Sequence, residues 1–341
     1  MKRRHVNIPI FVPHLGCPND CIFCNQKKIT GCEKYDFDST KEQIKSQLTT
    51  TDPQTDDVQI AFFGGSFTGI ERNSMISMLK IAKEYIDEGL VSSVRISTRP
   101  DYINEEILDI LKAYRVTDIE LGVQSMDDIV LKKAERGHSA SDTINAAKLI
   151  TNQGFNFVGQ MMVGLPDSDL EKELFTATAI CQMGARAVRI YPTLVFSGTK
   201  LAQMYQSGMY TPLSIDEAAF RCAKILKVFE DFNIPVIRLG LCETDNLRTE
   251  GSVIAGPYHP AIGELCENKY YLEEIEKQIK QKCQYTENKN LTIFVSKGCK
   301  SKAIGQKKSN TLYLKDKYLF TTIEFTEDQS MHGREILINV N

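Results

Sequence analysis

The sequence predicts an α/β protein, a partial (β/α) barrel of six or seven units followed by a small α+β domain. Three observations carry this. Apolar, β-branched runs alternate with amphipathic stretches at the spacing of βαβ units. The alternation stops short of the eight repeats of a closed barrel. It breaks after Leu241, where the chain changes character.

Strands are expected in turn at His5–Val12, Val58–Phe63, Val94–Ser97, Asp118–Val123, Phe157–Val163, Ala187–Tyr191 and Val236–Leu241. Helices are expected between them at Ser74–Glu88, Asn104–Tyr114, Asp142–Asn152, Leu170–Met183 and Ile215–Asp231. A doubly wound sheet would give the same alternation, so periodicity leaves that architecture open. Residues Cys242–Pro260 carry turn formers without a period and read as a crossing segment. A long charged helix is expected at Ala261–Cys283. After it come strands at Leu291–Val295, Phe320–Phe325 and Ile336–Val340 around a helix at Asn310–Tyr318. The breaks divide the chain into a barrel over 1–248, a linker with the long helix over 249–285, and a basic α+β domain over 286–341.

Composition narrows the function. The 341 residues are 42% hydrophobic and 25% charged, which excludes wholesale disorder. With 41 basic against 44 acidic residues the formal charge is -3, so a nucleic-acid surface must be a local patch. No window reaches the apolar length of a membrane span. The N-terminus turns from basic to apolar without a small-residue cleavage site, so a cytoplasmic, non-membrane protein is expected.

Cysteine usage is the sharpest signal. In a cytosolic chain, clustered cysteines among a total of ten point to metal or catalysis rather than to disulfides. The one cluster follows the first strand, with Cys17, Cys21 and Cys24 spaced C-x3-C-x2-C. Three thiolates on one short loop can hold three irons of a 4Fe–4S cube and leave the fourth iron open. Zinc is the rival, but a closed zinc site wants four ligands, and only Cys32 or His14 stands near enough in sequence to add one. Three unligated thiols are the bland alternative.

Phe23, just before the third cysteine, completes a C-x3-C-x-Φ-C motif that closely resembles the radical S-adenosylmethionine superfamily. The resemblance implies that the open iron is chelated by the methionine part of S-adenosylmethionine. It further implies that one electron from the cluster then cleaves the cofactor to a 5′-deoxyadenosyl radical. By the same resemblance Gly64 and Gly65, ending the second strand, offer backbone to the cofactor's amine. Ser97 and Arg99 face its ribose or carboxylate, Gln124 points into the top of the barrel, and Leu165 lies in an adenine-contacting segment. Met161 and Met162 stay unassigned, since paired methionines are more often core.

A narrower resemblance rests on TRPDY at 98–102, ELGVQS at 120–125, RGH at 136–138, MMVGLP at 161–166, RIYPTLV at 189–195 and GT at 198–199. In this order they are similar to the radical domain of the elongator catalytic subunit, which begins modification of the tRNA wobble uridine. The likeness runs from about His5 to Arg248. It implies that Arg189 and Tyr191 face cofactor and substrate. Two features depart from that family: the first two cysteines stand closer together, and an acetyltransferase-type βα pattern is missing after the linker.

The C-terminal stretch 289–317 holds eight lysines against one aspartate. Its Gly305-Gln306-Lys307-Lys308 turn resembles a degenerate G-x-x-G loop of a KH-type RNA-binding module, and the alternative is a solvated basic face. Cys242 at the barrel mouth and His259 in a loop are lesser candidates. The first reading is therefore a radical enzyme acting on RNA, a tRNA base, fed by a reduced flavodoxin- or ferredoxin-type donor. Two others stand beside it: the same chemistry on a small or porphyrin-like molecule, and a non-catalytic iron–sulfur protein for electron transfer or RNA binding.

Overall fold

The structure, a computed structural model, describes residues 3–12, 17, 21–25, 37–241, 249 and 251–341. Eight strands come first: β1 (Arg4–Val12), β2 (Asp56–Gly64), β3 (Ser93–Thr98), β4 (Val116–Gln124), β5 (Asn156–Val163), β6 (Ala187–Pro192), the two-residue β7 (Val195–Phe196) and β8 (Val236–Leu239). All but β7 form one parallel sheet in the order β1-β2-β3-β4-β5-β6-β8. That order decides between the two architectures left open by periodicity. A doubly wound sheet reverses its strand order partway, whereas here each strand lies beside the previous one. With right-handed crossovers, the helices that connect successive strands of the sheet then cover one face. The sheet is a curled half-barrel, with no pairing of β8 to β1 among the described residues.

Strand parity shows which face is which. Ile8, Ile60, Phe62, Val94, Ile96, Ile119, Leu121, Phe157, Met161, Val188 and Ile190 are buried beneath the helices. The alternate positions Gln59, Arg95, Ser97, Glu120, Gln160, Arg189, Tyr191 and Arg238 line the inner face, and that face is polar. Met161 and Met162 part company here: Met161 is core, while Met162 has inner-face parity and packs against the residues that seat the cysteine loop. Helix starts are set by Asn104, Asp127, Ser139, Asp169, Thr199 and Ser214, each accepting a backbone N–H from its first turn.

The chain has two compact units, one of residues 1–212 and 234–256, the other of 213–233 and 257–341. Helix Ile215–Asp231, expected from its position to be a barrel helix, belongs to the second. Its buried Ala218, Cys222, Leu226 and Phe229 pack with helix Ile262–Lys282, and the pairs Lys224–Glu273 (3.0 Å) and Lys269–Asp216 (2.7 Å) link the two. Within the crossing segment, β9 (Val253–Ala255) pairs antiparallel with β7.

The second unit carries a mixed sheet in the order β11-β10-β12, from β10 (Asn290–Ser296), β11 (Thr322–Asp328) and β12 (Ile336–Val340). Between β10 and β11 lie a short helix, Lys300–Ile304, and the helix Ser309–Tyr318, joined by the turn at 305–308. Gly305 is required there: its φ is +83°, and a Cβ would come within 2.5 Å of Ser309 Oγ. Lys307 and Lys308 come next, both left-handed at φ 53° and 63°. Lys308 thus holds a backbone conformation that favours glycine, in the place where the G-x-x-G pattern has one.

Candidate functional site

The three thiols sit at the C-terminal end of the half-barrel, on a loop that continues from β1. Backbone bonds and apolar packing hold the described part of that loop. Ile22 N–H donates to Ala134 O (3.2 Å), and Ile22 O accepts from Leu201 N–H (2.8 Å). Cys24 N–H closes on Cys21 O (2.9 Å), and Asn25 Nδ2 donates to Ser197 O (3.2 Å). Ile22 is buried with Val130, Leu165, Val195 and Leu201, and Phe23 packs on the same cluster. Leu165, expected from the resemblance to touch adenine, is thus part of the anchor for the cysteine loop. Its own segment is clamped at Gly164, whose N–H goes to Glu173 Oε1 (2.7 Å) and whose carbonyl accepts from Tyr210 Oη (2.6 Å).

Gly64 and Gly65 lie against the start of this loop. Gly65 N–H donates to Val12 O at 3.0 Å. At Gly64, with φ +114°, a Cβ would stand 2.4 Å from the same carbonyl. Gly64→Ala should therefore strain this junction by roughly 1–3 kcal/mol and displace the strand end that carries the thiols. The expected result is a lower melting temperature and iron uptake well below wild type. Unchanged iron uptake would show that the close approach is not what positions the loop.

Two opposing influences meet at the thiols, burial against nearby positive charge. The buried Arg136 guanidinium donates from Nη1 to Cys21 Sγ at 3.3 Å. Burial pushes the Cys17 thiol above its ordinary value, while the Ser66 backbone N–H, Arg99 and Arg136 pull it down. Arg99 is 3% exposed at its side chain; it forks onto Asp101 (2.9 and 3.0 Å) and donates from Nη2 to the Arg136 carbonyl. Behind it Thr98 Oγ1 meets Ser66 Oγ (2.8 Å) and Thr68 Oγ1 (2.6 Å). His138, buried beside these two arginines, is pushed down to about 4 by desolvation and then by their charge, so it is neutral.

These residues fit a cluster and a polar cofactor. Among the described residues no three His, Cys, Asp or Glu converge on one ion. A cube asks for something else, since each thiolate takes its own iron. Around the thiols, Arg99 Nη1, Arg136 Nε and Gln124 Oε1 are buried without a hydrogen-bond partner, polar atoms of the kind an incoming ligand satisfies. Gln124 ends β4 at φ 64°, just past a register shift in its pairing with β5.

Below the mouth, the inner face carries a buried ion pair, Arg189 Nε to Glu120 Oε2 at 2.9 Å. Burial pushes the Glu120 carboxyl up, and Arg189 and Arg95 pull it back. Arg189 also reaches Tyr191 Oη (3.5 Å) and lies over the Phe63 ring, 5.1 Å from its centroid. Ser97 is the register neighbour of Glu120. Deeper still, Arg95, Gln59 and Asp118 form a connected floor. The structure thus brings Cys17, Cys21, Gly64, Gly65, Arg99 and Gln124 to the strand ends, and places Arg189 with Tyr191 on the inner face. Arg136, Glu120, Glu173 and Tyr210 are partners that sequence reasoning did not assign.

Of the other candidates, His259 Nδ1 accepts the Ala261 N–H (3.0 Å) at the start of the long helix, while Cys32 and Cys242 lie outside the described residues. Cys181, Cys222 and Cys266 are core. Among the described residues no helix is long and apolar enough to cross a membrane.

Comparison with known proteins agrees with this geometry. A model of the Radical SAM superfamily matches residues 11–176, and one of the Radical_SAM C-terminal domain matches 185–273. An uncharacterized protein of Methanocaldococcus jannaschii is 33% identical over 62% of this chain and 68% of its own length. The tRNA uridine(34) acetyltransferase of Methanocaldococcus infernus is 30% identical over 59% of this chain, and human Elongator complex protein 3 is 27% identical over 71%. The chain spans about half the length of these last two, 45% and 51%. The structure of M. infernus Elp3 lacking its N-terminus superposes with a TM-score of 0.58 at 20% identity, over 82% of this chain and 64% of that one. A family model over the strands that carry the thiols, a second from β6 into the long helix, and a relative sharing a third of the aligned residues together establish that the chain belongs to the radical SAM superfamily, whose cofactors are a 4Fe–4S cluster and S-adenosylmethionine.

Proposed function

We propose that this chain is an enzyme that modifies RNA, a tRNA nucleoside, with Cys17, Cys21 and Cys24 holding the cluster. When bound, the cluster and S-adenosylmethionine supply a one-electron cleavage of the cofactor's sulfur–carbon bond. The observation that carries the reading is the mouth itself: three thiols at the strand ends, the stretch Cys21–Cys24 held by backbone bonds, over an inner face that is polar rather than filled with aliphatic side chains. Gly64, Gly65, Ser97, Arg99 and Gln124 would bind the cofactor around that mouth, with the backbone of the segment at Leu165 beside it and the Leu165 side chain seating the cysteine loop. Arg189, oriented by Glu120, and Tyr191 would face the substrate from below. A reduced flavodoxin- or ferredoxin-type protein would provide the electron.

RNA as the substrate class is supported by relatives named for tRNA uridine(34) and for Elongator, and by the turn at 305–308. Two consecutive lysines held left-handed cost roughly 1–2 kcal/mol each. Strain of that kind clusters at functional sites. The helix–turn–helix between parallel strands presents Lys300, Lys307 and Lys308 to solvent, as a backbone-gripping loop would.

The test is anaerobic. The reconstituted, reduced chain is given S-adenosylmethionine, and 5′-deoxyadenosine is quantified with and without bulk tRNA. Formation stimulated by tRNA is expected. In Lys307→Glu/Lys308→Glu, RNA retention should weaken and the salt dependence of binding should lose about one unit of slope per lysine, with iron content unchanged. Formation indifferent to tRNA would turn the reading to a small-molecule substrate, and none at all despite an intact cluster would turn it to a non-catalytic iron–sulfur protein.

A further inference from the structure

We propose that Arg136 sets the reduction equilibrium of the cluster by donating an N–H···S bond to Cys21, and so acts as a positioning residue for the electron that starts the reaction. The proposal rests on Cys21 being a cluster ligand. Arg136 stands 115 positions away in sequence and 7% exposed in the structure. Its guanidinium is fixed at both ends of the fork, with Nη1 on Cys21 Sγ (3.3 Å) and Nη2 on Gly122 O (2.7 Å). Its carbonyl accepts from Arg99, so the backbone behind the fork is tied as well. No acidic side chain pairs with it among the described residues, and Asp101 is taken by Arg99. The positive charge is therefore directed at sulfur.

Gly122 makes this arrangement possible. A Cβ there would lie 2.9 Å from both Arg136 Nη2 and Gln124 Nε2, so a larger residue crowds the guanidinium and the Gln124 amide together. Hydrogen bonds and positive charge at a ligating sulfur stabilise the reduced, more negative cluster more than the oxidised one. When a flavodoxin- or ferredoxin-type donor passes one electron to the cluster, the donor is oxidised and the cluster reduced. No bond of Arg136 breaks; its N–H···S bond strengthens. A lysine would keep the charge but not the two-point fork.

The experiment is a redox titration of the full reconstituted chain, followed by electron paramagnetic resonance, with iron counted per chain. Arg136→Gln should hold the iron of wild type while its reduction equilibrium moves about tenfold toward the oxidised form, about 59 mV for one electron. Arg136→Lys should recover only part of that shift. Gly122→Ala, which leaves every charge in place, should shift it in the same direction as Arg136→Gln. An unmoved potential in Arg136→Gln and Gly122→Ala, with the cluster intact, would overturn the proposal. So would loss of iron from both Arg136 variants, which would make the residue a structural clamp. A Cys21→Ala chain that keeps the full cluster would remove the ligand assignment, and the proposal with it.

Discussion

Replacing Cys21 by alanine is expected to abolish both cluster retention and 5′-deoxyadenosine formation. Three thiolates for three irons leave no redundancy, and Cys21 is the most buried of the three at 6% exposure. Its loss also strands Arg136, whose Nη1 would then be a buried donor without a partner, beside an Nε that already has none. The activity loss should exceed the 10–100-fold or so that attends removal of a residue merely supporting a metal ligand. Cys181→Ala is the control. Burial pushes that thiol up to about 11, so it is an inert core residue and its variant should keep the cluster. Iron per chain and 5′-deoxyadenosine are the two readouts. Formation that survives in Cys21→Ala would sink the thiol assignment.

Much of this site was legible because its parts are local in sequence. The three cysteines stand within eight positions, and Gly64 and Gly65 end a strand whose β-branched and aromatic run announces itself. Strand parity, once the strands are placed, separates Met161 from Met162 and puts Arg189 and Tyr191 on one face. What period could not supply was strand order, and strand order is what separates a half-barrel from a doubly wound sheet. It also could not supply partners brought in from far away. Arg136 and Glu173 touch their targets only through the packing of two different crossovers; Arg136 stands in the RGH motif at 136–138, but nothing local to that motif says that it reaches Cys21.

The same limit explains the helices that were missed or placed elsewhere. Phe37–Leu48 offers few apolar positions, and Lys300–Ile304 is one turn long. Helix Ile215–Asp231 keeps the βα rhythm faithfully, yet its apolar stripe is buried with the long helix after the crossing segment. Periodicity reports that a face will be buried; it does not say against what.

The inner-face ion pair gives the second large effect. Glu120→Gln should destabilise the first unit by about 3–5 kcal/mol, because it leaves the Arg189 charge buried with its carboxylate removed. For a unit of this size that is a fall on the order of 10 °C in melting temperature. Arg189 sits at 15% side-chain exposure and Glu120 at 3%, so water can replace little of the lost interaction. Arg95 is a second cation that loses the same carboxylate, and Asp118, the neighbouring acid, is engaged by Gln59 and Arg95. The pair Glu120→Leu with Arg189→Met should then recover most of the lost stability, as apolar side chains replace both charges together. Here stability and function separate. The doubly replaced chain should fold and hold its cluster, yet fail to turn over substrate, because the proposed role of Arg189 on the inner face needs its charge. A double variant no more stable than Glu120→Gln would show that the two residues are not energetically coupled. Full turnover in that double variant would remove Arg189 from the substrate site and leave Glu120–Arg189 as part of the barrel floor.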